Sequence, residues 1–171
     1  PVHRGRFSVR GRLAYPQAIH MFHNDDVNYF STKLFFIDKG RQQLLINTDS
    51  ADILVPAVKG SRTHSFFVRH YYSSTLQESE RRLNRFADTV QVTEMNRAIY
   101  AEMKEQRNEL RDSLLLVNSR KNPNGYITSW LLLDYLSRTG YSPTMDVIYS
   151  TLDRSFKSSM LAKYLEQSLY N

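Results

Sequence analysis

Residues 93–117, TEMNRAIYAEMKEQRNELRDSLLLV, do most to limit what this chain can become. The run holds neither Gly nor Pro, and Met95, Ile99, Met103, Leu110, Leu114 and Val117 recur at three- and four-residue steps, with Gln106 interrupting the stripe. That spacing lays apolar side chains along one face of a helix, and propensity summed over so long a window is informative. Glu102 with Gln106 and Glu105 with Glu109 fall among Arg and Lys, as a solvated face should. The following NSRKNPNG supplies Asn, Pro and Gly, a stop and a turn.

Further helices are predicted at about 127–138 and 144–153, joined by TGYSP, and at about 157–169. Thr128 or Ser129 is placed to cap the first, and Ser142 the second, with Pro143 at its first helical position. Trp130, Leu132, Leu136 and Ile148 are the expected core of this pair, facing the β half. Upstream the texture differs. RFSVRGRLAY alternates around Phe7, Val9 and Leu13, and YFSTKLFFI and QQLLI flank DKGR at hairpin spacing. DILVPAV and HSFFVRHYY, split by KGSR, read as two more β-branched and aromatic strands, with Pro56 at a strand end or edge. The fold class expected is α+β, an antiparallel β half over about 5–75 followed by a helical half over about 93–170. A length of 171 with 41% apolar residues suits one domain with a β-rich half at 1–80 and a helical half at 81–171.

The absence of cysteine excludes disulfides, thiolate nucleophiles and Cys-ligated zinc, and it points to an intracellular, reducing compartment or organelle matrix rather than secretion. The longest apolar run, WLLL, is far short of a membrane span, so no membrane association is expected. The N-terminal PVHRGRFSVRGR has no apolar segment behind it and is not a secretory signal. Five scattered histidines define no Ser–His–Asp arrangement, and six glycines leave little scope for a phosphate-binding loop. His20, His23, Asp25 and Asp26 are suitable divalent-metal ligands by type, but nothing fixes their spacing and the stretch reads as a polar connector. No enzyme activity, metal or other cofactor is expected.

What remains is charge. A net +6 favours polyanionic partners. In HRGRFSVRGR, Arg4, Arg6, Arg10 and Arg12 surround Phe7, with no acid before Asp25. Guanidinium groups pair with phosphates and an interleaved aromatic ring stacks on a base, so these five residues are candidate contacts to RNA or single-stranded DNA. Arg81, Arg82 and Arg85 form a second basic cluster, and Arg120 with Lys121 a third. The function expected is that of a basic binding protein, a small subunit of a nucleic-acid-containing or viral-type assembly. Its Arg-rich segments would meet phosphates and its helical half would meet partner proteins.

Two stretches bear resemblances. NTDSADILVP resembles the active-site motif of pepsin-like aspartic proteases through Thr48, Ser50, Asp52, Ile53, Val55 and Pro56, with LLI before it as the strand. YYSST, DTVQV and YSPTMDVIY look like later elements of that family. The resemblance implies a mostly-β lobe that binds peptide or a partner. It also implies lost catalysis, because Asn47 stands at the catalytic aspartate and Asp49 at the neighbouring glycine, and the mechanism needs two carboxylates sharing a proton. The flap with its tyrosine has no match between Thr75 and Asp88, and the helix at 93–117 is foreign to that family. Separately, Leu133, Tyr135, Leu136, Gly140, Tyr141, Thr144 and Ile148 are similar to the LisH dimerisation motif, which implies homo-oligomerisation through helices 127–153. The same pair suits a helix-turn-helix by length, but Asp146 and Asp153 on its second helix repel phosphate.

Overall fold

In the computed structural model of the chain, residues 8–24, 29–46, 56–90, 93–121 and 125–170 are described. The order is β then α, as expected for an α+β chain. Strands β1 (Gln17–Ile19), β2 (Phe22–Asn24), β3 (Tyr29–Ser31), β4 (Phe35–Ile37), β5 (Gln43–Leu45) and β6 (Ala57–Lys59) come first. Helices α1 (Arg62–His70), α2 (Ser74–Val90), α3 (Arg97–Lys121), α4 (Tyr126–Thr139), α5 (Pro143–Ser150), α6 (Arg154–Lys157) and α7 (Met160–Tyr170) follow. The chain divides into two compact units, Pro1–His64 and Ser65–Asn171.

In the first unit the strands pair as three antiparallel ladders, β1 with β4, β2 with β3 and β5 with β6. Ala18 stands opposite Phe36, and Leu44 opposite Val58. Among the residues whose burial is described, Phe35, Phe36 and Val58 are the buried hydrophobic side chains, with Thr32, Pro56, Ser61 and His64 also buried. Thr32 ties the β1–β2 connection, its N–H donating to the Met21 carbonyl and its hydroxyl accepting from the Met21 N–H. His64 locks β4 to the segment before β6. Its Nδ1 accepts the Phe36 N–H at 3.4 Å, and the other ring nitrogen donates to the Pro56 carbonyl. Burial holds its pKa below the usual histidine value, although the Pro56 bond and the nearby Asp38 charge act the other way.

Several sequence expectations change here. HSFFVRHYY does not form a strand but contributes most of α1. His64, Phe67 and Tyr71 are buried at steps of three and four, which is helical spacing, and it prevails over the aromatic, β-branched composition. Helices therefore begin at Arg62, earlier than the sequence indicates. DKGR does not join a hairpin, since β4 pairs with β1 and β5 with β6. Residues 8–15 of RFSVRGRLAY form no strand; Val9 is 83% exposed, so its alternation has no face to bury. Pro56 does stand at a strand end, directly before β6. The strand before NTDSADILVP is β5, with Leu44 half-buried and Gln43 and Leu45 exposed, and residues 47–55 lie outside the described residues.

The second unit holds helices and their connections with no strand among its described residues, which overturns the mostly-β pepsin-like alternative. DTV of the supposed DTVQV strand ends α2. The predicted long helix is α3, starting at Arg97 and running on to Lys121. Its buried face is Arg111, Leu115, Asn118 and Ser119 rather than the apolar stripe, and Met95 lies before the helix, 88% exposed. The displacement has a physical cause, because specific bonds allow polar groups to be buried. Asn118 Nδ2 donates to the carbonyls of His70 and Leu114, both at 2.7 Å. Ser119 Oγ accepts from Thr151 at 2.8 Å, and Arg111 lies 3.9 Å above the Tyr135 ring while donating to Asp112.

α3 packs on α2, where Phe86 stacks on Tyr100, and also on α5. α4 packs on α7, burying Leu131 and Leu132 with Leu161, Ala162, Leu165 and Leu169. Helices α4 and α5 thus pack on other helices of the second unit, α4 on α7 and α5 on α3. Leu132 and Ile148 are core residues, whereas Trp130 and Leu136 are only partly buried. Thr128 and Ser129 do not cap α4 but lie inside it, and Thr128 meets the Tyr71 hydroxyl at 3.1 Å. The cap position is Gly125, at φ +73°. A Cβ there would stand 2.5–2.7 Å from three carbons of the Phe156 ring. Pro143 takes the expected position in the first turn of α5, and Ser142 stands at the N-cap position, but its hydroxyl does not make the expected capping bond.

Candidate functional site

The feature that organises the surface of the first unit is one carboxylate. Ser61 is the residue before α1, and its hydroxyl accepts the His64 N–H at 2.9 Å, a local N-cap. Asp38, from the turn after β4, reaches the same helix start. Its Oδ2 accepts the Ser61 hydroxyl at 2.9 Å and the Thr63 N–H at 3.0 Å. Burial alone would raise the Asp38 pKa, but hydrogen bonds from Thr63, Ser61 and the Arg62 N–H outweigh it and hold the carboxyl below its ordinary value. Gln42 Nε2 donates to the Asp38 carbonyl at 2.6 Å, which folds the turn back on itself.

These bonds bring two basic turns together, DKGR at 38–41 and KGSR at 59–62. Gly60, at φ +87°, lies so close that a Cβ on it would be 3.1 Å from the Arg41 carbonyl. The β5–β6 register, with Gln43 opposite Lys59, continues the contact. Lys39, Arg41, Lys59 and Arg62 are all exposed around this junction. None makes an ion pair among the described residues. The described residues of Pro1–His64 carry seven Lys or Arg, at 10, 12, 33, 39, 41, 59 and 62. Asp38 is the single acid among them, and its charge is directed into the helix start.

The sequence-predicted contacts fall in both units. Arg4, Arg6 and Phe7 lie outside the described residues. Arg10 and Arg12 are exposed in the first unit. Arg81, Arg82 and Arg85 are exposed on α2, where Arg81 pairs with Glu78 at 3.7 Å, and Arg120 and Lys121 are exposed at the end of α3. Of the ten candidates, two are thus described in the first unit and five in the second. Sequence reading missed Lys39, Arg41, Lys59 and Arg62. Their signal was present, since both turns carry a Lys and an Arg around a Gly, but the turns were read for geometry alone.

The second unit is close to charge-balanced, with 14 Lys or Arg against 12 Asp or Glu. Among its charged surface groups it also exposes aromatic and apolar side chains. Tyr141 and Tyr170 both donate to Asp146, Tyr170 at 2.9 Å, and that bond chiefly pushes the Tyr170 pKa up to about 12. Val147, Met160 and Tyr164 are exposed on α5 and α7.

Of the metal-type residues, His20 lies within 3.1 Å of the Thr32 carbonyl, and Asp25 and Asp26 fall outside the described residues. Among the described residues no group of three or more His, Asp or Glu is placed to hold a metal, and no helix is long and apolar enough to cross a membrane. No family model matches the chain, and neither a curated protein nor a solved structure matches it significantly.

Proposed function

We propose that this chain is a non-enzymatic nucleic-acid-binding subunit, with phosphates of RNA or single-stranded DNA meeting its N-terminal unit and partner proteins meeting its helical unit. The observation that carries the reading is the division of charge. In residues 1–64 nine Lys or Arg stand against five Asp or Glu, a surplus of four out of the chain's net six. The one described acid in that unit is consumed internally. Phosphate-backbone binding requires unpaired, exposed cations, and Arg10 and Arg12 add to them. The helical unit offers a different chemistry, with Tyr141, Val147, Met160, Tyr164 and Tyr170 exposed. Exposed aromatic and Met side chains on a neutral surface suit protein contact, including a second copy through 127–153, and a place in a viral-type or other nucleic-acid assembly. The absence of cysteine fits work inside a cell or organelle.

The test is a fluorescence-anisotropy titration of a labelled 20-mer oligouridine against salt, with two charge-matched variants. Replacing Arg4, Arg6, Arg10 and Arg12 by Gln should weaken binding far more than replacing Arg97, Lys104, Arg154 and Lys163, exposed cations of the helical unit outside the candidate clusters, by Gln. Affinity that ignores both salt and the N-terminal replacements would refute the reading.

A further inference from the structure

We infer that Lys39, Arg41, Lys59 and Arg62 form one phosphate-binding surface that grips the backbone of single-stranded nucleic acid without reading its bases. This deepens the function proposed above and rests on it.

The four cations come from two turns about twenty positions apart in sequence, so their meeting is a product of folding rather than of local composition. Asp38 holds the turns in place through Ser61 and Thr63, and the β5–β6 ladder holds them from the other side. A junction tied at both ends presents its cations in a fixed arrangement, which lowers the ordering cost of binding. Occupation of the α1 start by Asp38 has a second consequence. The helix N–H groups are already used, so an incoming phosphate is held by the side chains around the helix start, not by its backbone.

The ligand class follows from what surrounds the cations. Lys39, Arg41, Lys59 and Arg62 are exposed, and the aromatic residues of β4, Phe35 and Phe36, are buried. Neither turn, DKGR at 38–41 nor KGSR at 59–62, carries an aromatic residue beside its cations to stack on a base. Binding here is therefore electrostatic and tolerant of sequence. A lipid headgroup is the less suitable anion, because membrane insertion needs apolar or aromatic side chains beside the cations, and among the residues whose exposure is described Leu45 is the one large apolar side chain exposed on β5 and β6.

The experiment uses the full chain and a variant in which Lys39, Arg41, Lys59 and Arg62 are all replaced by Gln. Because the four side chains are exposed, the variant should keep the wild-type circular dichroism spectrum and melting temperature. Labelled 20-mer oligouridine, oligoadenosine and oligothymidine are titrated at several salt concentrations, beside vesicles containing phosphatidylserine. The wild type should bind all three oligomers within about threefold of one another. The variant should lose up to about 3 from the slope of log affinity against log salt, at about 0.7 per single-strand phosphate contact. Wild-type binding that the variant retains with its slope unchanged would overturn this surface and leave the proposed function standing. No binding of any oligomer by the wild type would overturn both, as would binding to the vesicles alone. Strong preference for one base would overturn the claim that bases are not read.

Discussion

Replacing Gly125 by Ala should be among the most damaging single-methyl changes in the helical unit. Two separate costs arise. Gly125 holds φ at +73°, and a left-handed conformation costs an L-residue about 1–2 kcal/mol. The added Cβ would also fall 2.5 Å from Phe156 Cδ1 and 2.6 Å from Cγ. These are ring atoms on a buried side chain, held edge-on to Tyr126 at 5.0 Å, so the ring has to move as a body. Overpacking of that kind typically costs about 1–3 kcal/mol, giving about 2–5 kcal/mol in total. In a chain of this length that lowers the melting temperature by roughly 4–20 °C. The two parts separate in a double-mutant cycle. With Phe156→Ala already present the clash is gone, and Gly125→Ala should then cost only the backbone part, about 1–2 kcal/mol. Denaturant unfolding followed by far-ultraviolet circular dichroism measures all four corners. A single-mutant cost below about 0.5 kcal/mol, or strict additivity with Phe156→Ala, would refute the reasoning.

Two further outcomes follow from the buried polar groups. Tyr71→Phe or Thr128→Val alone strands the partner hydroxyl of a buried 3.1 Å pair and should destabilise by about 1–3 kcal/mol, while the double variant should cost less than the sum in the same unfolding assay. For His64, burial lowers the folded-state pKa below 6.5, so the folded chain disfavours the charged ring. Its contribution is intact above about pH 6.5 and falls as pH drops below that value, levelling off once the folded ring itself protonates. Unfolding midpoints measured from pH 7 down to pH 5 should decline in the wild type and decline less in His64→Gln; parallel curves would contradict the lock between Phe36 and Pro56.

Legibility in the sequence tracked how local the determining interaction was. The long helix was readable because nothing in residues 97–121 opposes it, and the start of α5 was readable because Ser142 and Pro143 signal it to their own neighbours. Helix α1 was not. Its start is fixed by Asp38, 23 positions before Ser61, and its aromatic, β-branched composition suggested a strand. The buried face of α3 was displaced for a similar reason. A periodicity reading counts Arg111 and Asn118 as surface, but Tyr135 and the His70 carbonyl supply them with buried partners from other helices. The candidate site divided along the same line. Arg10 and Arg12 stood out because they are neighbours, whereas Lys39 and Arg41 meet Lys59 and Arg62 only after β5 pairs with β6.

The central claim is that one unit of this chain meets nucleic acid and the other does not. Backbone amide chemical shifts recorded with and without an unlabelled 20-mer oligouridine test it residue by residue. The account predicts perturbations at Arg10, Arg12, Lys39, Arg41, Lys59 and Arg62 and their neighbours, with α2 to α7 unmoved. Perturbations confined to the exposed arginines of α2 and the end of α3, or none at saturating oligomer, would contradict it.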